Sequence, residues 1–222
     1  MLTPLKVIRN NIDRLLVEIP PSVTILAACK NRSAAEVQVA FENGLRHFGH
    51  NYVQEAQAML PQISFLAEWH LIGHLQRNKA DVAVKLFNSI DSIDSIRLAH
   101  ELEKQCGQID KHLAVMIEVN SGREMNKNGI FPESAGELAE FISSQPHLHL
   151  QGLMTMGPLI GDAEGERPYF VETRKIYEQL AAMNLKNINM RYLSMGMSNS
   201  YQVAIQEGAN MVRLGTVIFG ER

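Results

Sequence analysis

The sequence predicts an α/β fold, a single (β/α)8 TIM barrel with an extra N-terminal helix, and three observations carry that prediction. Eight short apolar segments alternate with helical ones. Strands joined by helical crossovers must run parallel, and right-handed crossovers leave either an open doubly wound sheet or a closed barrel. No Gly-rich dinucleotide fingerprint follows the first strand, which disfavours the open sheet. The 222 residues suit one large core and contain no obvious linker, so a single domain over 1–222 is expected.

Each element has its own local reason. Between Leu5 and Val17 the residues Leu5, Ile8, Ile12, Leu15 and Leu16 recur at helical spacing with charges between them, the pattern of an amphipathic leading helix. Val23–Cys29 is short, apolar and rich in β-branched residues, as a strand covered on both faces should be, and it ends at Lys30. Ser33-Ala34-Ala35-Glu36 then forms a capping box that opens a helix which Gly44 can close. Further strands are expected at His47–Gly49, Trp69–Gly73, Ser89–Asp91, Leu113–Asn120, Leu150–Thr155, Tyr192–Ser194 and Met211–Leu214, each but the last followed by a helix. Gly161–Arg167 reads as a mobile loop.

Composition narrows the function classes. A formal net charge of -3 provides no basic footprint for nucleic acid, and no segment approaches the roughly 20 apolar residues that span a bilayer. Two cysteines, Cys29 and Cys106, lie outside any metal-ligand spacing and make no disulfide scaffold, which fits a reducing cytoplasm. Strand alternation turns Cys29 toward the helix layer, a packing role. His47, His70 and His74 cluster in sequence, but His70 should face away from its neighbours, so no metal set is expected. Glu55, Glu68 and Asp91 show no partner at the spacing of an acid–base pair.

In a (β/α)8 barrel the functional face is the C-terminal end of the strands, and Lys30 is the first polar residue there. A lysine ending an apolar strand would be partly desolvated and so prone to attack an aldehyde, although a snorkelling ammonium would occupy the same position. Arg213-Leu214-Gly215-Thr216 on the last strand offers a glycine and a hydroxyl beside backbone amides that could cradle phosphate. Ser194-Met195-Gly196-Met197-Ser198 leaves strand seven for a helix whose first amides would face the same anion, or whose serines would simply cap it.

Several strings, in order along nearly the whole chain, carry a resemblance. They are Ala28-Cys29-Lys30, Phe48 to Glu55, Trp69 to Lys79, Gly152 to Met156, Leu193 to Ser198 and Val212 to Gly220. The chain resembles the pyridoxal phosphate (PLP) homeostasis family, itself similar to the barrel domain of alanine racemase. The resemblance implies PLP as cofactor, held as a Schiff base on Lys30, with Asn51 in the pocket and Ser194, Ser198, Gly215 and Thr216 around the phosphate. By similarity to the racemase, Arg213 would lie against the pyridine nitrogen while Met154 and Gly196 line the site.

Two positions depart from the family pattern. His50 stands where a glutamate is usual, which should change the electrostatics at the pocket entrance and place a group there able to titrate near neutral pH. Ser200 stands where aspartate is common and removes an acidic group from the start of the next helix. The resemblance implies a carrier acting in PLP homeostasis, with PLP-dependent apo-enzymes as partners and no catalytic residue; the expected lack of a second domain favours a monomer. An arginine on the ring nitrogen opposes the electron sink that α-carbon chemistry uses, and the racemase's second domain, which supplies an opposing acid–base group, is not expected after Gly220-Glu221-Arg222. Weak amino-acid racemisation, or another phosphorylated substrate in the same barrel, is the alternative.

Overall fold

The computed structural model describes residues 4–158 and 162–221, and in it eight parallel strands close into a barrel in sequence order. They are β1 (Thr24–Ala28), β2 (His47–His50), β3 (Glu68–Leu71), β4 (Ser89–Ile93), β5 (Leu113–Val119), β6 (Leu148–Thr155), β7 (Ile188–Ser194) and β8 (Met211–Leu214). The ring closes where Leu26 of β1 registers with Arg213 of β8.

Helix α1 (Pro4–Glu18) buries Ile8, Ile12 and Leu15, one face of a 3.6-residue repeat. Outside the strands run α2 (Ala34–Glu42), α3 (Val53–Met59), α4 (Ala80–Leu86), α5 (Ile96–Gln108), α6 (Ala135–Ser143), α7 (Arg167–Ala182), α8 (Tyr201–Gln206) and α9 (Thr216–Phe219). The expected capping box opens α2: Glu36 N–H donates to Ser33 Oγ while the Glu36 carboxylate accepts from Ser33 N–H.

Period-two alternation, interrupted by register shifts in β4, β6 and β7, sorts the strand residues into an inner and an outer set. Leu26, Ile72, Met116, Tyr192 and Met211 meet inside the barrel, whereas Ile25, Ala27, Cys29, Phe48, Trp69 and Leu71 join the larger core under the helices. Cys29 is thus buried on the helix side, and burial pushes its thiol pKa well up, as an inert packing residue requires. The register shifts between Leu150 and Gly152, where β6 passes so close to β7 that a Cβ on Gly152 would fall 1.9 Å from the Tyr192 carbonyl oxygen.

Three expectations need correction. The last strand is followed by a helix after all, the single turn α9. Strand β7 begins at Ile188, four residues before the apolar run at Tyr192, because its first half alternates half-buried and exposed residues at the barrel's lower rim. In the expected loop Gly161–Arg167, Gly161 lies outside the described residues; Glu164–Glu166 form a 3-10 turn that leads into α7.

Candidate functional site

At the C-terminal rim a cavity of about 400 Å³ is lined by Ala28, Lys30, Asn51, Gly215 and Thr216, with Arg32 and Glu221 at its edge. The ring closure explains the grouping: β1 delivers Ala28 and then Lys30 on its inward phase, and its neighbour β8 delivers Gly215 and Thr216. Lys30 is exposed, not partly desolvated as its place after an apolar strand suggested. Asn51 follows β2, the other neighbour of β1.

Gly215 makes the backbone approachable. A Cβ built there would meet nothing nearer than Ala28, at 3.7 Å, so the opposite side stays open toward the cavity. Its N–H donates to Ser198 Oγ at 3.3 Å, tying the loop after β7 to the turn after β8. That loop depends on Gly196, at φ +89°, where a Cβ would sit 2.5 Å from Ala204 Cβ and 2.9 Å from Tyr201 Cα. The stretch 195–200 is loop, and α8 starts only at Tyr201, so the helix expected to open within the Ser194–Ser198 string begins later.

Beneath the cavity Arg213 is 4% exposed and makes three side-chain hydrogen bonds. It donates from Nη1 to the Ser194 carbonyl at 2.8 Å and to Ser194 Oγ at 2.9 Å, and from Nη2 to the Thr155 carbonyl at 2.7 Å. Burial pulls its pKa down to about 10, opposed by the carboxylates of Glu118, Asp91 and Glu166. Met154 is fully buried and registers with Ser194 on one side and Glu118 on the other. The nine expected site residues therefore form one connected group: Lys30, Asn51, Gly215 and Thr216 line the cavity, Ser198 bonds Gly215, the Gly196 carbonyl accepts from Arg213 N–H, and Ser194 and Met154 lie beneath.

Glu118 escaped the sequence reading. It is 3% exposed and two residues beyond Met116, hence on the inner phase of β5. Burial pushes its pKa up to about 7, Asp94 adds to the rise and Arg213 opposes it. The signal was present as a carboxylate at an inner position of an otherwise apolar strand. Arg32 was also missed; it donates from Nη2 to the Gly220 carbonyl at 2.6 Å and so holds the segment after α9 against the β1 end.

The two departures resolve differently from expectation. His50 is not at the pocket entrance: Gly49 takes the inward position, and His50 is fully buried outside the barrel wall, stacked on Trp69 at 5.9 Å. Among the described residues neither ring nitrogen has a hydrogen-bond partner, and burial pulls its pKa down to about 4, far from neutral pH. Ser200 does not leave its turn without an acid. Its hydroxyl donates to Glu166 Oε2 at 3.0 Å and accepts from Met197 N–H, so buried Glu166 brings a carboxylate in from the start of α7.

Two further expectations are overturned at the opposite end of the barrel. His70 faces His47, with Nε2 3.0 Å from His47 Nδ1, and Asp91 has partners in His70, at 2.9 Å, and in Ser89. Both follow from period two, which turns positions 47, 70, 89 and 91 to the interior. Among the described residues no group of three His, Cys, Asp or Glu has metal-holding geometry. No described helix is long and apolar enough to cross a membrane.

Residues 4–222 match the family described as alanine racemase, N-terminal domain. The pyridoxal phosphate homeostasis protein of Aquifex aeolicus is 38% identical over 199 residues, covering 89% of this chain and 86% of that protein. Its counterpart in Helicobacter pylori strain 26695 is 35% identical over 225 residues, covering 96% and 98%. Among solved structures, PipY of Synechococcus elongatus PCC7942 with PLP bound superposes with a TM-score of 0.85 at 34% identity, over 96% of this chain and all of that one.

Proposed function

The chain belongs to the family of pyridoxal phosphate homeostasis proteins, and on that premise we propose that it binds PLP at the C-terminal rim of its barrel and acts in cytoplasmic PLP homeostasis, buffering or delivering the cofactor. The observation that carries the site is the cavity in which one amine, one amide side chain and the open Gly215 backbone converge. Its volume, about 400 Å³, belongs to the class of small-cofactor pockets, and its donors match an aldehyde at one end and a phosphate at the other.

The cofactor supplies an aldehyde that condenses with a primary amine, and Lys30 provides that amine as a Schiff base. The amides of Gly215 and Thr216, the Thr216 hydroxyl and Ser198 would hold the phosphate. Ser198 Oγ accepts from Gly215 N–H and keeps its own proton, which it would donate to a phosphate oxygen. Ser194 orients Arg213 beneath the ring, and the arginine's pKa, still about 10, keeps it cationic at neutral pH, which opposes protonation of a pyridine nitrogen beside it. Asn51, Met154 and Gly196 shape the walls. This arrangement favours holding the cofactor over α-carbon chemistry; the proposed recipients are PLP-dependent apo-enzymes and the proposed working unit is the monomer.

Absorption spectroscopy with added PLP tests the reading. A visible band should form, borohydride should fix the label on Lys30, Lys30→Ala should lose both, and amino acids should not turn over. Absence of a band at saturating PLP, or a label elsewhere, sinks it.

A further inference from the structure

The barrel has a second polar cavity at its N-terminal end, about 390 Å³, lined among others by His47, Glu68, His70, Ser89, Arg191 and Tyr192. These residues come from four strands, β2, β3, β4 and β7, remote from Lys30.

The inner side of this cavity is a hydrogen-bonded chain whose protons can be counted. Ser89 Oγ donates to Asp91 Oδ1, and His70 Nδ1 lies 2.9 Å from Asp91 Oδ2, so that nitrogen carries the proton. In the neutral form of His70, Nε2 is the acceptor and His47 Nδ1, 3.0 Å away, donates to it. The lone pair of His47 consequently resides on Nε2. Burial, the largest cause, pulls the His47 pKa down to about 4, so the ring stays neutral and that lone pair stays available.

The outer side carries two opposite charges. Glu68 registers beside His47 across β2 and β3, and Arg191 precedes Tyr192 on β7, its guanidinium 4.8 Å from the Tyr192 ring centre. Among the described residues neither Glu68 nor Arg191 forms an ion pair within 4.0 Å, and both are exposed. An anionic acceptor beside a neutral acceptor, with a planar five-donor cation also lining the cavity, matches a molecule that presents an ammonium group and a carboxylate together.

We propose that this cavity is a second binding site, for a small zwitterion of the free α-amino-acid class: Arg191 takes the carboxylate, while Glu68 and His47 Nε2 accept from the ammonium group. Ser89, Asp91 and His70 act as positioning residues that fix the His47 tautomer. The site is independent of PLP binding and leaves the rim residues untouched.

Calorimetric titration of the cofactor-free full chain tests it, since without PLP no imine can form with the added amine. Glycine and L-alanine should bind saturably. Glycinamide, which lacks the carboxylate, and N-acetylglycine, which lacks the ammonium, should each bind about tenfold or more weakly. Arg191→Gln and Glu68→Gln, both at exposed positions, should each weaken L-alanine by a similar factor while the PLP absorption band is unchanged. No saturable binding of the amino acids, equal affinity for the amide or the acetylated form, or undiminished binding in both variants would overturn the proposal.

Discussion

His50 and Glu118 show that one buried side chain can set a slope in the stability of the whole protein. His50 is enclosed without a hydrogen-bond partner among the described residues, so it loses its hydration and receives no polar contact in exchange. His50→Leu should stabilise the protein by about 1–3 kcal/mol at neutral pH, read as a higher urea midpoint. Its folded pKa of about 4 lies below the ordinary 6.5, so the stability it permits is present above pH 6.5 and lost as pH falls toward 4. The leucine variant should therefore also lose part of its acid sensitivity in that window, His47 supplying the remainder. Glu118 has the opposite sign. Its folded pKa of about 7 exceeds the ordinary 4.5, so stability is complete below pH 4.5 and falls as pH rises to 7, by on the order of 3 kcal/mol. Glu118→Gln should abolish that fall; an unchanged slope between pH 4.5 and 7 in denaturant titrations would mean that another group is responsible.

At the scale of elements, the loop between β7 and α8 works as a unit because Gly196 lets it turn at positive φ against Ala204 and Tyr201. Gly196→Ala meets both a strained backbone and a contact of 2.5 Å, and should cost about 1–3 kcal/mol. Because Ser198 follows two residues later and bonds Gly215, the same variant should weaken PLP binding about tenfold or more, measured by the absorption titration. Affinity equal to the parent's would show that the loop does not shape the phosphate end. Legibility in the sequence also divides by element. Strands buried on both faces, such as β1 and β8, stand out as apolar runs, and α2 announces itself by its capping box. The first half of β7, Ile188 to Arg191, does not, because a barrel rim demands alternation rather than continuous apolarity. The rim residues were readable from strand ends and from family strings. Glu118, the His47–His70–Asp91 chain and the outward place of His50 were not, since each depends on which phase of a short strand faces inward, and a one-residue slip inverts that phase.

For the molecule as a whole, a ligand that binds only the folded barrel must stabilise it. PLP at a hundredfold excess over its dissociation constant should add about 2.7 kcal/mol to unfolding, seen as a rise in Tm that Lys30→Ala reduces sharply. A Tm that ignores PLP in the parent protein would remove the link between cofactor and fold.

The pairing of β1 with β8 places Lys30 beside Gly215 although 185 positions separate them in sequence. A chain leaving the ribosome therefore exposes Lys30 long before Gly215 and Thr216 exist to face it. Until synthesis passes Thr216 the rim cavity lacks one wall, so on the proposed reading a product truncated before it should retain no PLP.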